Sequence, residues 1–267
     1  MICVKVRFRA IGRWAPADVV VQWVGDRRPR IAEIDRMIEQ AWQEARLQPG
    51  LNLFDGPMCR LERLVAADKL LLELSPTSYK IFWGTNLHNP WLGFRYGPEA
   101  LANAVGLSCA LESSEGFLML GRRSPSLAYY PSRVHPFAGS LEPIHPLDLF
   151  AEMRRELAEE LRFDDADVPS MWCAGVIEDV SIGQPELVFS AKSSRTRADI
   201  ERMLDASEHE ACLAIEPDRK KLESSLNDSA MTPVALGAML LWGRDRFGAP
   251  WFDAAQRSVN LGGHEPP

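Results

Sequence analysis

One segment, from Gly139 to Phe163, constrains the chain most because it combines an unbroken helix pattern with a dense run of carboxylates. Pro146 and Asp148 are typical of a helix start, Pro because its φ is fixed and Asp because it caps the first turn. The residues that follow are mostly Ala, Leu, Met, Glu and Arg, which all favour a helix. The segment therefore predicts an amphipathic helix that begins near Asp148.

The predicted helix has two neighbouring faces of different character. At about 100° of rotation per residue, a group of glutamates falls within one arc about 100° wide, and apolar residues occupy the adjacent arc. The glutamates are Glu152, Glu156, Glu159 and Glu160, and the apolar residues are Phe150, Met153, Leu157 and Leu161. We expect the apolar arc to pack on a core.

Two interpretations of the acidic arc remain open from the pattern alone. Like charges three or four residues apart destabilise a helix by roughly a few tenths of a kcal/mol per pair, and Arg154 and Arg155 offset part of this cost. The arc is either a solvated acidic surface, which is the usual meaning of a charge run, or a site for a hard divalent cation. Magnesium suits the second interpretation because it prefers oxygen ligands and is often held by carboxylates together with substrate phosphates.

The sequence around this helix resembles the signature of the Nudix hydrolases, G-x5-E-x7-R-E-U-x-E-E-x-G-U, in which U is aliphatic. Gly139 matches the first glycine, Glu142 matches an acid commonly found three residues later, and residues 155–160 (RELAEE) match the core of the signature. There are three departures. The spacing from Gly139 to Arg155 is two residues longer, the first glutamate of the signature has no counterpart, and Arg162 replaces the late glycine.

Other segments are similar to one Nudix group, the animal enzymes that cleave UDP-glucose and UDP-galactose. The similar segments are residues 53–57, 77–86, 116–124 and 181–186, and the His209-Glu210 loop. The similarity therefore spans most of the chain. It includes a segment before the Nudix region that Nudix proteins do not generally share, which makes this match more specific than the signature alone.

The resemblance implies an α/β fold, namely a Nudix α/β/α sandwich with a mixed sheet, preceded by a small α+β domain. Turn signals at Asn89-Pro90 and Gly97-Pro98 place the boundary near residue 95. We therefore expect an N-terminal α+β domain at residues 1–95 and a Nudix hydrolase domain at residues 96–267.

The periodicity of apolar residues predicts the elements of both regions. Strands are expected at residues 4–8, 19–24, 59–64, 69–74, 106–111, 116–120, 172–180, 186–191 and 211–215. Helices are expected at residues 31–45, which Pro49-Gly50 ends, from Asp148 onward, and at 198–204 and 233–242. The last of these is apolar nearly all round and should be buried. Residues 75–86 should form a short helix and loop, and residues 208–210 a polar loop.

The resemblance also implies an activity, the Mg²⁺-dependent hydrolysis of a nucleoside diphosphate sugar to UMP and a sugar 1-phosphate, with Mn²⁺ as a substitute metal. Glu156, Glu159 and Glu160 match the metal-binding glutamates of the family. Gly139 matches the glycine whose carbonyl often joins them, and Arg155 matches the arginine that orients the carboxylates.

The identity of the catalytic base stays open. Cleavage of a phosphoanhydride requires charge neutralisation on the phosphate oxygens and a water molecule aligned for attack. The proton of that water is expected to pass either to a helix glutamate, Glu156 or Glu160, or to Glu186 or Glu210 from the loops.

Several polar and aromatic residues are candidates for substrate binding. Arg122 and Arg123 end a predicted strand, where two guanidinium groups either bind a diphosphate or remain solvated. Tyr79 and Phe82 either stack on a base or pack in the core. Asn86, from the segment similar to the UDP-sugar enzymes, completes the predicted substrate contacts.

Composition limits the classes of partner. A net charge of −7 and a pI near 5.4 argue against a nucleic-acid-binding surface, so the expected partner is a small nucleoside diphosphate. No apolar run reaches the length of a membrane span, and the N-terminal residues do not resemble a secretory signal. The odd number of cysteines indicates free thiols in a reducing, cytoplasmic setting. The scattered histidines argue against zinc, and a homodimer is left open.

Three other functions remain open at this stage. The chain is either a non-catalytic Nudix-like module that binds a nucleotide sugar, or a Nudix pyrophosphatase for another compound such as ADP-ribose. A purely structural protein with a solvated acidic face is a further alternative. The signature indicates diphosphate chemistry but not the groups attached to it.

Overall fold

The computed structural model describes residues 5–48 and 53–261. These residues form two β-sheets and the helices around them. The strands are β1 (Val6–Trp14), β2 (Val19–Trp23), β3 (Pro57–Ala66), β4 (Leu70–Ser78), β5 (Gly106–Glu112), β6 (Leu118–Arg123), β7 (Val134–His135), β8 (Phe137–Ser140), β9 (Ser170–Asp179), β10 (Gln184–Lys192) and β11 (His209–Ile215). The helices are α1 (Ala32–Arg46), α2 (Tyr79–Phe82), α3 (Leu92–Tyr96), α4 (Leu149–Leu161), α5 (Arg197–Met203), α6 (Arg219–Leu226), α7 (Pro233–Phe247) and α8 (Ala249–Leu261).

The larger sheet is mixed and has the strand order β1-β9-β10-β5-β6-β11, with β7 paired to β6 and β8 paired to β5. Strands β10 and β5 run parallel, whereas the other pairs in this sheet are antiparallel. The smaller sheet has the order β2-β4-β3, and its strands β2 and β4 are parallel.

Helices cover both faces of the larger sheet. Helix α4 packs through Met153, Leu157 and Leu161 on one face, where the ring of Phe150 meets Phe189 of β10 at 5.1 Å. Helices α7 and α8 cover the opposite face with a separate apolar cluster. The predicted α/β sandwich with a mixed sheet is therefore confirmed.

Strand β1 crosses the predicted domain division. It pairs with β9, from Val6 opposite Asp179 to Trp14 opposite Cys173, and so belongs to the larger sheet. Its apolar side packs under α8, where Phe8 lies 5.0 Å from Phe252. A strand from the predicted N-terminal domain is therefore part of the larger sheet. Its apolar side chains alternate along the strand and pack against residues from the second half of the chain.

Several predicted elements of the first region are confirmed where the structure describes it. Strands β3 and β4 cover the predicted strands at 59–64 and 69–74, and they pair as an antiparallel hairpin. Helix α1 buries Ile34, Ile38 and Trp42, as its amphipathic spacing indicates. Pro49-Gly50, which was expected to end this helix, lies outside the described residues.

Local structure differs from the predictions in several parts of the chain. Strand β4 extends to Ser78, whose hydroxyl then caps the short helix α2, and a π-helical turn follows at Trp83–Leu87. His209, predicted to lie in a polar loop, is buried in β11 because its ring fills the space above Gly121. Helices α3, α6 and α8 and strands β7 and β8 were not predicted, and residues 262–267 lie outside the described residues.

The cysteines of the described residues are free thiols. Cys59, Cys109 and Cys173 are buried and Cys212 is half-buried, which agrees with the prediction of unpaired, largely buried thiols. Among residues 5–48 and 53–261, no helix combines the length and the apolar character that crossing a membrane requires.

Candidate active site

Helix α4 begins at Asp148, as its sequence predicts. The Asp148 carboxylate accepts hydrogen bonds of 3.0 Å from the backbone N–H groups of Phe150 and Ala151. The helix ends at Arg162, which adopts the left-handed conformation with φ of 57°. Arg162 stands where the Nudix signature has a glycine, and glycine is the residue that adopts this conformation without a steric cost.

Glu156 lies directly against the backbone of Gly139. Gly139 is part of β8 and faces Leu107 of β5, so this backbone is fixed by the sheet. A Cβ atom at Gly139 would overlap the carboxylate of Glu156, which is itself only 8% exposed. The absence of a side chain at Gly139 therefore permits the close approach of α4 to β8.

Glu160 is the most deeply buried carboxylate of the helix, at 2% exposure. One of its oxygens accepts a hydrogen bond of 3.0 Å from the backbone N–H of Ala138. The other oxygen lies 3.2 Å from Nε2 of the buried His209. Glu160 thus joins α4 to β8 and β11 at one point.

Arg155 is the counter-ion of the acidic face. Its guanidinium donates hydrogen bonds to Glu152 at 3.0 Å, to Glu156 at 2.6 Å and to Glu159 at 2.7 Å. Of these three carboxylates only Glu159 is exposed. The acidic arc is therefore mostly buried against the sheet and is not a freely solvated surface.

Burial raises the pKa values of the two innermost carboxylates of the helix. Burial, opposed by Arg155 but reinforced by Glu160 and Glu159, raises the pKa of Glu156 to about 7. Burial and the nearby Glu208 raise the pKa of Glu160 well above its ordinary value, although the Ala138 N–H opposes this. The pair therefore carries negative charge only at an energetic cost, and a cation beside it would lower that cost.

The chemistry of the donors fits a hard divalent cation. The carboxylates of Glu156, Glu159 and Glu160 and the carbonyl of Gly139 are all oxygen ligands, which Mg²⁺ and Mn²⁺ prefer. Within the described ranges, no three His, Cys, Asp or Glu side chains converge into a preformed metal cluster. The reason at this helix is that Arg155 already holds Glu156 and Glu159.

A cavity of about 560 Å³ reaches the backbone of β8, although Glu156, Glu159 and Glu160 are not part of its wall. Its wall includes Ala138 and Gly139, the backbone positions that contact Glu160 and Glu156. The remaining lining residues are Leu53, Phe54, Gly56, Pro57, Met58, Tyr79, Phe82, Arg123, Ser126, Leu127, Ala128, Tyr129, His135, Ser140, Glu142, Gln184, Glu186 and Val234. The volume lies within the range of small-molecule sites.

Arg123 brings a positive charge to this cavity. Its Nε donates a hydrogen bond of 3.0 Å to the carbonyl of Tyr129, which fixes the plane of the guanidinium. In the described part of the chain, neither of its terminal nitrogens has a protein acceptor. Burial lowers the pKa of Arg123, although Glu160 and Glu186 oppose this. A partly desolvated guanidinium with free donors is suited to bind a phosphate.

Two further titratable groups line the cavity near Arg123. Nδ1 of His135 lies 2.8 Å from the hydroxyl of Thr232, and burial together with Arg123 keeps the pKa of His135 well below its ordinary value. Burial raises the pKa of Glu186 to about 8, with Asp179 reinforcing and Arg123 opposing the shift. Both side chains are therefore neutral near pH 7.

Aromatic side chains form another part of the cavity wall. The rings of Tyr79 and Phe82 lie 6.3 Å apart, and Phe82 meets Tyr129 edge-on at 6.4 Å. Phe54 also lines the cavity and is 79% exposed, which places a large apolar ring at its mouth. This wall offers flat apolar surfaces on which a ring can stack.

Some predicted site residues lie away from the cavity. Glu210 is exposed and lies 4.0 Å from Arg122, whose guanidinium also donates to the carbonyl of Ser132. Asn86 is fully buried and bonds the backbone of Ala102, Ile182 and Gly183. Asn86 therefore ties the N-terminal region to the turn before β10, while Tyr79 and Arg123 line the cavity, and their role as substrate contacts stays a prediction.

His135 lines the cavity but was not among the predicted site residues, whereas Gly139 and Glu186 were. Three strand glycines each leave space for one titratable side chain. The pairs are Gly106 with Glu186, Gly121 with His209, and Gly139 with Glu156. Glycine inside a strand pattern marks the close approach of another group, so Gly106 and Gly121 were available signals.

Three curated mammalian proteins are similar to this chain, and each is named uridine diphosphate glucose pyrophosphatase NUDT22. The Mus musculus protein is 27% identical over 256 residues, which cover 82% of this chain and 82% of the relative. The Bos taurus protein is 27% identical over 257 residues, covering 82% and 88%, and the Homo sapiens protein is 26% identical over 260 residues, covering 82% and 84%. No protein-family profile matches the chain.

Two solved structures show a more distant resemblance. DR0079 from Deinococcus radiodurans is 18% identical with a TM-score of 0.40, covering 51% of this chain and 80% of that one. A MutT protein from Methanosarcina mazei Go1 is 15% identical with a TM-score of 0.37, covering 53% and 94%. The similarity to the mammalian pyrophosphatases supports both the Nudix resemblance and the prediction of a phosphoanhydride hydrolase.

Proposed function

We propose that this protein is a Mg²⁺-dependent Nudix-type hydrolase that cleaves the diphosphate of a nucleoside diphosphate sugar of the UDP-glucose or UDP-galactose type. The products are UMP and a sugar 1-phosphate. The names of the mammalian relatives support the substrate class. Mn²⁺ is expected to substitute for Mg²⁺, because it shares the preference for oxygen ligands.

One observation carries the proposal, the position of Arg123 and the Ala138-Gly139 backbone on the wall of the same cavity. Arg123 presents unpaired guanidinium donors, whereas Ala138 and Gly139 are the contacts of buried carboxylates on α4. Acidic oxygens and a cationic clamp beside one cavity suit a substrate that is bound as a metal–diphosphate complex. Neither group alone would distinguish such a site from a simple anion pocket.

The chain's own residues would hold and shield the substrate. We propose that Glu156, Glu159, Glu160 and the carbonyl of Gly139 hold the cation, with Arg155 acting as the counter-ion in its absence. The bound cation would neutralise phosphate charge and make a water molecule more acidic. Arg123 would bind phosphate oxygens on the opposite side, and the aromatic wall with Tyr79 would exclude bulk water.

We propose that proton transfer uses the carboxylates of Glu156 and Glu160, whose pKa values are raised by burial. A base must lie within hydrogen-bond reach of the water that it activates. Glu160 and Glu156 are the proposed catalytic carboxylates because each contacts the Ala138-Gly139 backbone of the cavity wall, and a side-chain movement would have to bring either one to the water. Neutral His135 is suited to exchange a hydrogen bond with the substrate, because a neutral imidazole has one donor and one acceptor.

The test is hydrolysis of UDP-glucose and UDP-galactose with Mg²⁺ or Mn²⁺, with identification of the products by chromatography. ADP-ribose is included to cover the alternative substrate.

Glu160→Gln should lower kcat by about 100-fold or more while the melting temperature is retained, because the change keeps the shape and removes the charge. Exposed Glu216→Gln is the matched control. Full activity in Glu160→Gln would contradict the proposal.

The non-catalytic alternative retains one supporting observation, because Arg155 already neutralises Glu156 and Glu159. A permanently paired acidic face would leave the cavity as a binding module. Binding of UMP without turnover of any compound in the panel, with either metal, would favour this second function.

A further inference from the structure

We propose that Gln184 is a specificity-determining residue that reads the edge of the nucleobase, an inference that rests on the proposed function and deepens it. Gln184 begins β10 and lines the cavity, yet only 7% of the residue is exposed. Among residues 5–48 and 53–261, its carboxamide has no hydrogen-bond partner. Neither carboxamide atom is among the fully enclosed polar atoms without a partner, so the amide is open to the cavity, where hydrogen bonds to a ligand can replace those to water.

The backbone around Gln184 is held in place from two sides. The carboxamide nitrogen of Asn86 donates to the carbonyls of Ile182 at 2.8 Å and Gly183 at 3.2 Å, directly before Gln184. Gln184 itself pairs with Asp179 across the β9–β10 hairpin. The carboxamide therefore projects from a fixed segment, and little ordering entropy is lost when it binds a ligand.

The surroundings of Gln184 suit a flat ring. Ile182, two residues earlier, packs against the cluster that contains Phe82, and Asp179 accepts a hydrogen bond from the hydroxyl of Tyr129. Phe82 and Tyr129 meet edge-on and both line the cavity with Gln184. Aromatic rings and a hydrogen-bonding amide in one cavity can together stack a base and bond its edge.

The chemistry of the carboxamide defines what it can recognise. It offers one N–H donor group beside one C=O acceptor, so it can pair with a ring edge that presents an adjacent acceptor and donor. In uracil these are O4 and N3–H. Because the amide can turn over, Gln184 alone would accept cytosine as well as uracil. It would distinguish bases with this edge from ligands that lack it.

Equilibrium binding tests this without relying on turnover. UMP, 3-methyl-UMP, which lacks the N3–H donor, and ribose 5-phosphate are titrated by calorimetry into the wild type and Gln184→Met. The wild type should bind UMP at least about 10-fold more tightly than 3-methyl-UMP. Gln184→Met should bind the two equally and should retain wild-type affinity for ribose 5-phosphate. Exposed Gln22→Met is the matched control and should keep the wild-type preference.

Other results would overturn the inference. The inference is wrong if the wild type shows no preference for UMP over 3-methyl-UMP, or if Gln184→Met keeps that preference. It is also wrong if Gln184→Met loses as much affinity for ribose 5-phosphate as for UMP. Gln184→Leu, which lacks both the donor and the acceptor, replaces Gln184→Met if the latter fails to fold, and it should also lose the preference.

The two proposals fail separately. A wild type that shows the Gln184-dependent preference but leaves UDP-glucose intact contradicts only the proposed hydrolase. A wild type that cleaves UDP-glucose while Gln184→Met keeps the preference contradicts only the role of Gln184.

Discussion

The hydroxyl of Tyr130 donates a 2.7 Å hydrogen bond to the carboxylate of Asp179, which is fully buried in β9. The same carboxylate accepts bonds from the hydroxyl of Tyr129 and from the backbone N–H of Ser181. Because the carbonyl of Tyr129 also accepts from Arg123, Asp179 fixes the loop that orients the cationic side of the cavity.

This arrangement predicts the effect of removing one hydroxyl. Tyr130→Phe should destabilise the protein by about 1 kcal/mol, the usual net value of a hydrogen bond, and should raise KM for a diphosphate substrate more than it lowers kcat. Unfolding in urea and steady-state kinetics measure the two effects. Tyr96→Phe is the matched control, because the Tyr96 hydroxyl bonds Glu33 and Tyr96 does not line the cavity. An unchanged KM in Tyr130→Phe would show that the loop does not position Arg123.

The sequence predicted the parts of the site that local spacing determines. The carboxylates of α4 follow from a repeat of three and four residues, and the cap at Asp148 follows from the first helical turn. Arg122 and Arg123 were candidates for binding a diphosphate because they end a strand pattern; Arg123 lines the cavity, and its phosphate role stays a prediction. These features depend on contacts between residues that are close along the chain.

The remaining parts depend on pairings between distant strands. Glu186 reaches the site because β10 runs parallel to β5 and sets it opposite Gly106, a contact across 80 positions of sequence. The burial of His209 depends on Gly121 in the neighbouring strand β6. Strand order and register across the sheet are tertiary properties, so a pattern of alternating residues could not show which side chains would meet.

The contact between Gly139 and Glu156 predicts a sharp sensitivity to a single methyl group. Gly139→Ala should destabilise the protein by about 1–3 kcal/mol, the usual cost of overpacking, and should abolish metal-dependent turnover because the carboxylate must move. Gly25→Ala is the control, since a Cβ there meets no atom within 4 Å. Thermal unfolding and hydrolysis assays measure both variants. Equal stability and activity in the two would contradict the proposed contact.

The left-handed residue at the end of α4 predicts a ranking of two substitutions. Arg162→Gly should be more stable than Arg162→Ala by about 1 kcal/mol, because only glycine adopts φ of 57° without a steric cost. Both variants lose the same long side chain, so their difference isolates the backbone effect. The expected gap in melting temperature is about 2–4 °C. Equal melting temperatures would show that the last turn of the helix relaxes.

The raised pKa of Glu186 predicts how stability depends on pH. Burial and Asp179 raise this pKa from 4.5 to about 8, with Arg123 opposing. The folded protein therefore binds a proton that the unfolded chain releases between these values. The stabilising contribution of Glu186 is fully present below pH 4.5 and is lost as the pH rises towards 8.

Glu186→Gln should remove this dependence, because glutamine has the shape of the protonated acid and does not titrate. The variant and the wild type should be equally stable near pH 4.5, and the variant should be more stable at pH 8, by an amount on the order of a few kcal/mol. Urea unfolding from pH 4.5 to 8 measures the difference. Exposed Glu216→Gln should leave the wild-type profile unchanged. A constant gap between Glu186→Gln and the wild type across this range would mean that Glu186 is already ionised in the folded protein.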